Sequence, residues 1–481
     1  MRHSDAHRRS LSRREVLFTS AAGFGGLALC GLLGCNSRNA ATPEATARAQ
    51  QSGPRKKAKS VIFLFMSGGP SQIDTFDPKP RLRSEHGQPM KMEMPAIQFN
   101  GCNIVMQSPF RFSQYGESGI SVSEIFPEIA QCVDDLCVIR SMHTDHGEHG
   151  TANIFVNTGH GNAGRPSMGS WISYGLGRES EELPSYIVLD SGRIPVGGTA
   201  CFSNGFLPAK HHGTIFHHGP YPVADLTPKE RDPSLQRAKL DVVRQLNRGI
   251  SNQWSSGQDA LEAVIANYEM AFNMQTAVPQ LIAAEGESAA TRKLYGLDGS
   301  ATQVFGSQCL LARKLVERGV PFVQLLPPKL PDHDQWDQHE DLPGGHRDNA
   351  LAVDRPIAGL LRDLKSRGML EETLVVWGGE FGRTPMEHTN PGDKVARTGR
   401  GHNQFGYTMW MAGGGVRGGM TYGATDEYGF HAVENPVHVH DLHATILHLL
   451  GIDHTQLTYL HGGREFRLTD VFGNVVHDIL A

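Results

Sequence analysis

Cysteine is scarce in this chain. Its 481 residues hold seven, and past Cys35 only Cys102, Cys132, Cys137, Cys201 and Cys309 remain. Their scattered spacing matches no zinc ribbon, and an odd number leaves at least one thiol without a partner in the chain. Basic runs are equally rare. Beyond the N-terminal region only Arg55-Lys56-Lys57 stands together, and the formal net charge is −5, which argues against the basic face of a nucleic-acid binder. The apolar stretch from Phe18 to Leu33 is too short and too rich in glycine for a membrane span. No internal repeat is present, and the one low-complexity stretch is residues 36–58.

Histidine, by contrast, is abundant. There are 24 against 10 tyrosines, and imidazole is the commonest metal ligand at neutral pH. The N-terminus carries Arg13-Arg14 before the apolar stretch, the pattern of a twin-arginine export signal. "LLGC" then ends at Cys35 and resembles a bacterial lipobox, so residues 1–35 read as a signal peptide with a lipid anchor at Cys35. Plain cleavage and release is the other reading of the same segment. Either places the protein in the periplasm or cell envelope, with membrane contact only through that anchor. Residues 36–58 are small, polar and proline-containing, a flexible tether. The length fits one large α/β domain with insertions or two ordinary domains, and residues 59–481 are read as one domain with a helical insertion at about 226–318.

Within that domain, "SVIFLFMSGG", "CVIRSM", "VPFVQLL", "TLVVW" and "YTMWMA" are short apolar runs of the kind buried in parallel strands. Helical patterns alternate with them, which argues for a parallel sheet covered on both faces. Ligands bind such sheets beyond the carboxyl ends of the strands. The unusual polar stretches fall there: "SGGPSQIDTFDPK", "HTDHGEHG", "PPKLPDHDQWDQHED" and "GGEFGRTP" follow strands, and "GRGHNQ" precedes one.

Mixed carboxylates and imidazoles suit zinc, manganese or iron, and calcium is not distinguished from them on sequence. "DHDQWDQHED" offers Asp332, His333, Asp334, Asp337, His339 and Asp341, with Trp336 placed to anchor the loop. His143, His146 and His149 crowd Asp145 and Glu148 after another strand, which makes two neighbouring metals plausible. Glu380 is a candidate ligand, Arg383 a candidate clamp for an oxyanion, and His402 a candidate ligand in a glycine-rich loop. Polar surface loops and a structural Glu–Arg pair are the plain alternatives. "GGGVRG" formally fits the dinucleotide fingerprint, but no helical pattern follows it.

Taken together, "SGGPSQIDTFDPKP", "LLARKLVERGVPFVQL", "WDQH", "TLVVWGGEFGRTP", "GRGHNQ" and "DLHATILHLLGI" resemble the domain of unknown function 1501 family, related to sulfatases within the alkaline phosphatase-like superfamily. The resemblance covers nearly all of residues 60–475. It implies a sulfatase-like three-layer α/β sandwich with a mostly parallel central sheet, and a metal-dependent hydrolase of sulfate or phosphate esters. Asp337, His339, Glu380 and His402 are the implied metal ligands, with His143, His146 and His149 as the second choice. A Cys/Ser-x-Pro-x-Arg stretch is missing: His149 stands where the nucleophile belongs, which excludes formylglycine chemistry. Thr151 is the nearest hydroxyl, so Thr151, His149 or a water is left as nucleophile. Gly68-Gly69 replace two expected aspartates, and Asp74 is the carboxylate nearest to taking their place. A sulfated or phosphorylated small molecule or glycan is the implied substrate. The rival reading is a non-catalytic envelope protein that binds glycan or a protein partner in a degenerate pocket.

Overall fold

The computed structural model describes residues 53–481 apart from 94, 96–102, 178–179, 181, 220–221, 224–231, 252–257, 283–286 and 389–396. The signal peptide, Cys35 and most of the tether lie outside the described residues. The frame is a nine-stranded sheet. In chain order its strands are β1 (Ser60–Phe65), β2 (Leu136–His143), β3 (Tyr186–Asp190), β4 (Thr214–His217), β5 (Phe322–Leu325) and β6 (Thr373–Gly378). A two-stranded ribbon of β7 (Gly382–His388) and β8 (Arg397–Asn403) stands apart from the sheet. The sheet resumes with β9 (Tyr407–Ala412), β10 (Met420–Tyr422) and β11 (Val437–His438). Their spatial order is β10-β2-β9-β6-β1-β5-β3-β4, with β11 beside β2.

Every pairing is parallel except those of β9 with β2 and β6. The alternation pattern alone did not separate β9 from its parallel neighbours. Its direction follows from the connection. The β7–β8 ribbon is built on the rim where β6 ends, so a chain leaving the ribbon enters the sheet from that rim and runs back down it. An antiparallel neighbour needs no crossover helix.

All six side chains of β1 are buried, because both faces of the sheet are covered. Ile62 and Leu64 pack into one core beneath α5 (Gln258–Ile282), α7 (Gln303–Glu317) and α8 (Leu342–Ser366). Val61, Phe63 and Phe65 pack into the other, beneath α2 (His149–Thr158), α3 (Met168–Leu176) and α9 (Val439–Leu449). The period-2 alternation of a strand separates these two sets. The result is a three-layer α/β/α sandwich with a mostly parallel sheet. The other helices include α1 (Gln72–Thr75), the single turn Pro80–Ser84, α4 (Pro233–Ser251) and α6 (Ala289–Tyr295). The four described cysteines are buried and unpaired, and no described helix is long and apolar enough to cross a membrane.

Candidate metal centre

Four segments meet on the rim above β1 and β6. The loop before α8 is pinned by Trp336, fully buried with its ring edge-on to His346 and Trp377. Gly68, at φ +107°, lets this loop close over β1. A Cβ there would stand 2.8 Å from the backbone nitrogens of Trp336 and Asp337. At the position where the resemblance implied a carboxylate, the glycine makes room for backbone. On the other side, Arg400 N donates to Gln338 O at 3.1 Å, and a Cβ on Gly399 would meet the His339 backbone at 2.1 Å. In the ribbon His402 lies opposite Arg383. His149 opens α2, whose N-cap Glu148 accepts from the amides of Gly150 at 2.7 Å and Thr151 at 3.0 Å.

One ligand atom from each of His149, Asp337, His339 and His402 falls within 4.8 Å of the other three. Asp337 Oδ1 lies 3.1 Å from His149 Nε2, 2.9 Å from His339 Nε2 and 3.5 Å from His402 Nε2. Each imidazole is held from behind through Nδ1. His149 Nδ1 is 2.6 Å from Glu380 Oε1, His402 Nδ1 is 2.8 Å from the Gly147 carbonyl, and His339 Nδ1 is 3.3 Å from His388 Nδ1. A carbonyl only accepts, so the His402 proton sits on Nδ1 and its Nε2 carries a bare lone pair. Burial pushes the His402 imidazole down to about 3 and lowers that of His339, which keeps both neutral at physiological pH.

These tautomers test whether a cation fits. His339 Nε2 lies 2.9 Å from the bare His402 Nε2, and His149 Nε2 is buried with no hydrogen-bond partner although Asp337 is beside it. A metal would displace the proton shared by His339 Nε2 and His402 Nε2 and the one His149 Nε2 turns toward Asp337. Three Nε2 atoms converging on one carboxylate oxygen, each ring held on its far side, are the donor set of a divalent ion. The four residues could therefore hold one. Burial disfavours the charged form of Asp337, but the Arg383 guanidinium and the imidazoles outweigh it and hold the carboxyl far below its usual range. His149 is the exception among the histidines. Burial would lower it, yet Asp337 and Glu380 raise it to about 9 from 6.5, so without metal it stands protonated between two carboxylates.

A pH dependence follows. With the folded value raised, the stability from the His149 cation is fully present below pH 6.5 and is lost as pH rises through about 9. In chelator, urea unfolding should show a loss on the order of 2–3 kcal/mol across that window. Glu380→Gln should flatten the dependence, and an unchanged slope would remove Glu380 from this role.

Of the residues read from the sequence, Asp337, His339 and His402 are brought together, and His149 joins them. Glu380 is not in the set. It is fully buried and spends both oxygens on the Gly68 amide, at 2.9 and 3.1 Å, and on His149, so it stands behind a ligand. Arg383 is fully buried too. Four of its five N–H groups donate, to Gly69 O at 2.9 Å, Arg400 O at 3.2 Å, Gly68 O and Asp337 Oδ1 at 2.7 Å, so the fork that would clamp an oxyanion is already engaged. Thr151 is turned away and donates to Glu148 Oε2 at 3.2 Å. Residues two apart on a helix do not share a face, whereas Asn153, four on from His149, does.

His143 and His146 also lie outside. The His143 ring packs on His438 at 5.0 Å and the His146 ring on Phe155 at 5.0 Å. Among the described residues one such group is found, where the sequence suggested two adjacent metals. Asp74 is buried against Arg400, Asp334 pairs with Arg193, His333 with Asp348, and Asp341 caps α8.

Three residues near the site went unremarked in the sequence. His388 backs His339. Arg193 and Asn153 line a cleft of about 30 Å³ beside His149 and Asp337, room for one or two waters. Arg193 follows the end of β3, so the strand-end rule could have found it. Asn153 gave no signal beyond its helical spacing from His149.

Similar architectures occur among solved structures at low identity. The PsFucS1 sulfatase from Pseudoalteromonas sp. matches at 13% identity and a TM-score of 0.35, over 88% of this chain and 77% of that one. The lipoteichoic acid synthase LtaP from Listeria monocytogenes matches at 11% and 0.34, over 86% and 76%. TAB5 alkaline phosphatase, as a mutant with Mg bound, matches at 11% and 0.35, over 82% and 99%. These figures assign no residue role and no activity. No curated protein matches the chain. Residues 58–480 match the family model described as "Protein of unknown function (DUF1501)", and the chain belongs to that family.

Proposed function

We propose that the protein is a metal-dependent hydrolase of sulfate or phosphate esters, exported through its Arg13-Arg14 signal and anchored to the cell envelope by lipid at Cys35. The convergence of His149, Asp337, His339 and His402 within 4.8 Å is the observation that carries the reading. Bound there, a divalent ion such as zinc, manganese or iron would supply Lewis acidity to an ester oxygen and ease ionisation of a water.

The chain's own residues have separable tasks. Glu380 and the Gly147 carbonyl hold protons on the Nδ1 atoms of His149 and His402, which turns both Nε2 lone pairs inward. Arg383 fixes Asp337 and keeps it ionised. Arg193, 40% exposed, lines the cleft and would serve as the cation that the buried Arg383 cannot by exchanging its partner Asp334, at 2.8 Å, for an anionic ligand. Asn153 Oδ1 is buried without a partner and lines the cleft, where it can accept a hydrogen bond from a water and orient it. A loaded site also favours an anion. The ion brings two positive charges and Arg383 one, against one negative charge each on Asp337 and Glu380.

A specific feature favours a second reading. Four protein ligands make a closed tetrahedral site, as in structural zinc centres, whereas catalysis needs an open position. Under that reading the metal is structural and the protein is a non-catalytic envelope component. Metal content and turnover separate the two. Purified protein should hold about one divalent ion per chain. It should hydrolyse a member of an aryl sulfate, aryl phosphate and aryl phosphodiester panel, lose that activity in chelator, and recover it on metal addition. Stoichiometric metal with no turnover of any ester would select the second reading. A folded protein that takes up no metal would end both.

A further inference from the structure

Away from the metal centre, a cleft of about 900 Å³ opens between α8, the α6–α7 connection and the segment leading into Ile129–Asp135. That is the size of a pocket for an extended ligand. Arg347, Leu351 and Arg355 line it at successive i, i+4 positions, which put them on one stripe of α8. Lys293 at the end of α6 lines it too.

The carboxylates of the cleft are already occupied. Glu124 is paired with Arg111 at 2.8 Å, Glu128 with Arg362 at 2.9 Å, and Asp298 takes the Arg292 Nε at 3.1 Å. Asp354 accepts from the amides of Glu128 and Ile129 at 2.9 and 2.8 Å, and burial raises its carboxyl to about 7. Lys293, Arg347 and Arg355 make no ion pair among the described residues. Five lining cations, Arg111, Arg292, Lys293, Arg347 and Arg355, therefore stand against four lining carboxylates, one of which is also neutralised by Arg362 from outside, and the cleft keeps a positive balance. The N-terminus of α7 adds its positive end, since Thr302 caps it without a side-chain hydrogen bond.

The spacing identifies the kind of anion. Arg347 and Arg355 are eight residues apart on one helix, about 12 Å along the axis, so one small ion cannot reach both. Between them Leu351 is 57% exposed, an apolar surface flanked by charge. No aromatic side chain lines the cleft, which removes the platform on which nucleic-acid bases stack. We infer that this cleft binds a polyanionic glycan, its sulfate or phosphate groups taken by Arg347, Arg355 and Lys293 and its sugar face resting on Leu351. This is a binding site separate from the metal centre, and it does not depend on hydrolysis.

Fluorescence anisotropy on the full chain in chelator tests it, with a labelled heparin-derived hexasaccharide, inorganic sulfate and a single-stranded oligonucleotide as probes. The hexasaccharide should bind metal-free protein and the His402→Ala variant alike. Affinity should fall at least about tenfold when Lys293, Arg347 and Arg355 are all changed to glutamine, since a hydrogen bond to a charged group is worth that much. Lys59→Gln, a surface cation paired with Glu372 outside both sites, should leave binding unchanged, and the charge-keeping Arg347→Lys/Arg355→Lys variant, a control for folding, should retain part of it. The inference fails if the hexasaccharide does not bind or the triple variant binds like the parent. It fails equally if inorganic sulfate competes at equal concentration, or if the oligonucleotide binds as tightly.

Discussion

Changing Asp337 to alanine is expected to abolish metal binding and to destabilise the protein by about 3 kcal/mol, the lower end of the cost of breaking a buried ion pair. Asp337 alone in the ligand set carries a formal negative charge, and its Oδ1 lies within 3.5 Å of all three imidazole nitrogens. It also neutralises the Arg383 guanidinium, which is buried without exposure and has only carbonyls besides. Alanine removes a ligand and leaves that cation unpaired. Asparagine keeps the shape and part of the hydrogen bonding, so Asp337→Asn should fold better than Asp337→Ala and still bind metal poorly. Titration calorimetry with zinc or manganese, alongside urea unfolding in chelator, reads the two effects separately. Losing a ligand should weaken affinity by more than about 100-fold, above the 10–100-fold typical of outer-shell partners. Metal affinity unchanged in Asp337→Ala would mean that the cluster is a hydrogen-bonded knot and no metal centre.

That the cluster was partly legible in the sequence, and partly not, has a physical reason. Asp337, His339 and His402 lie in segments flanking apolar runs, and a parallel sheet carries such segments to one rim whatever the details. His149 was legible as a member of a crowded histidine stretch, but which of His143, His146 and His149 turns inward depends on where α2 begins. The Glu148 cap sets that start, so His149 enters the site and Thr151 rotates away. Glu380 shows the limit of spacing arguments. A carboxylate just beyond a buried strand reads the same whether it meets a metal or stands behind a ligand. The difference lies in the Gly68 amide, 312 residues earlier, which takes both its oxygens. Arg383 was misjudged for a related reason: a planar fork suited to an oxyanion serves equally well for backbone carbonyls once it is buried. In the sheet, β9 reads like its neighbours because burial on both faces erases the alternation, and only the ribbon before it fixes its direction.

Replacing Asp74 with alanine should cost about 3–5 kcal/mol of stability and leave the metal site filled in the protein that still folds. Asp74 and Arg400 are both fully buried and bonded at 2.7 Å, and the Ser71 hydroxyl donates to the same carboxylate. The rest of the Arg400 guanidinium reaches the carbonyls of Thr384, Met106 and Gln107 at 3.1–3.2 Å, none of which neutralises it. Burial raises the Asp74 carboxyl, but Arg400 outweighs it and holds the group below its ordinary 3.8. A depressed value contributes stability above pH 3.8 that is lost as pH falls through the folded value, so the variant should lack part of the parent's acid-unfolding limb. The double change Asp74→Leu/Arg400→Met should recover much of the loss, since a well-packed apolar pair often equals a buried ion pair. If Asp74→Ala lowered metal stoichiometry in the folded fraction with little loss of stability, Asp74 would be a ligand after all, in place of the aspartates that Gly68 and Gly69 displace.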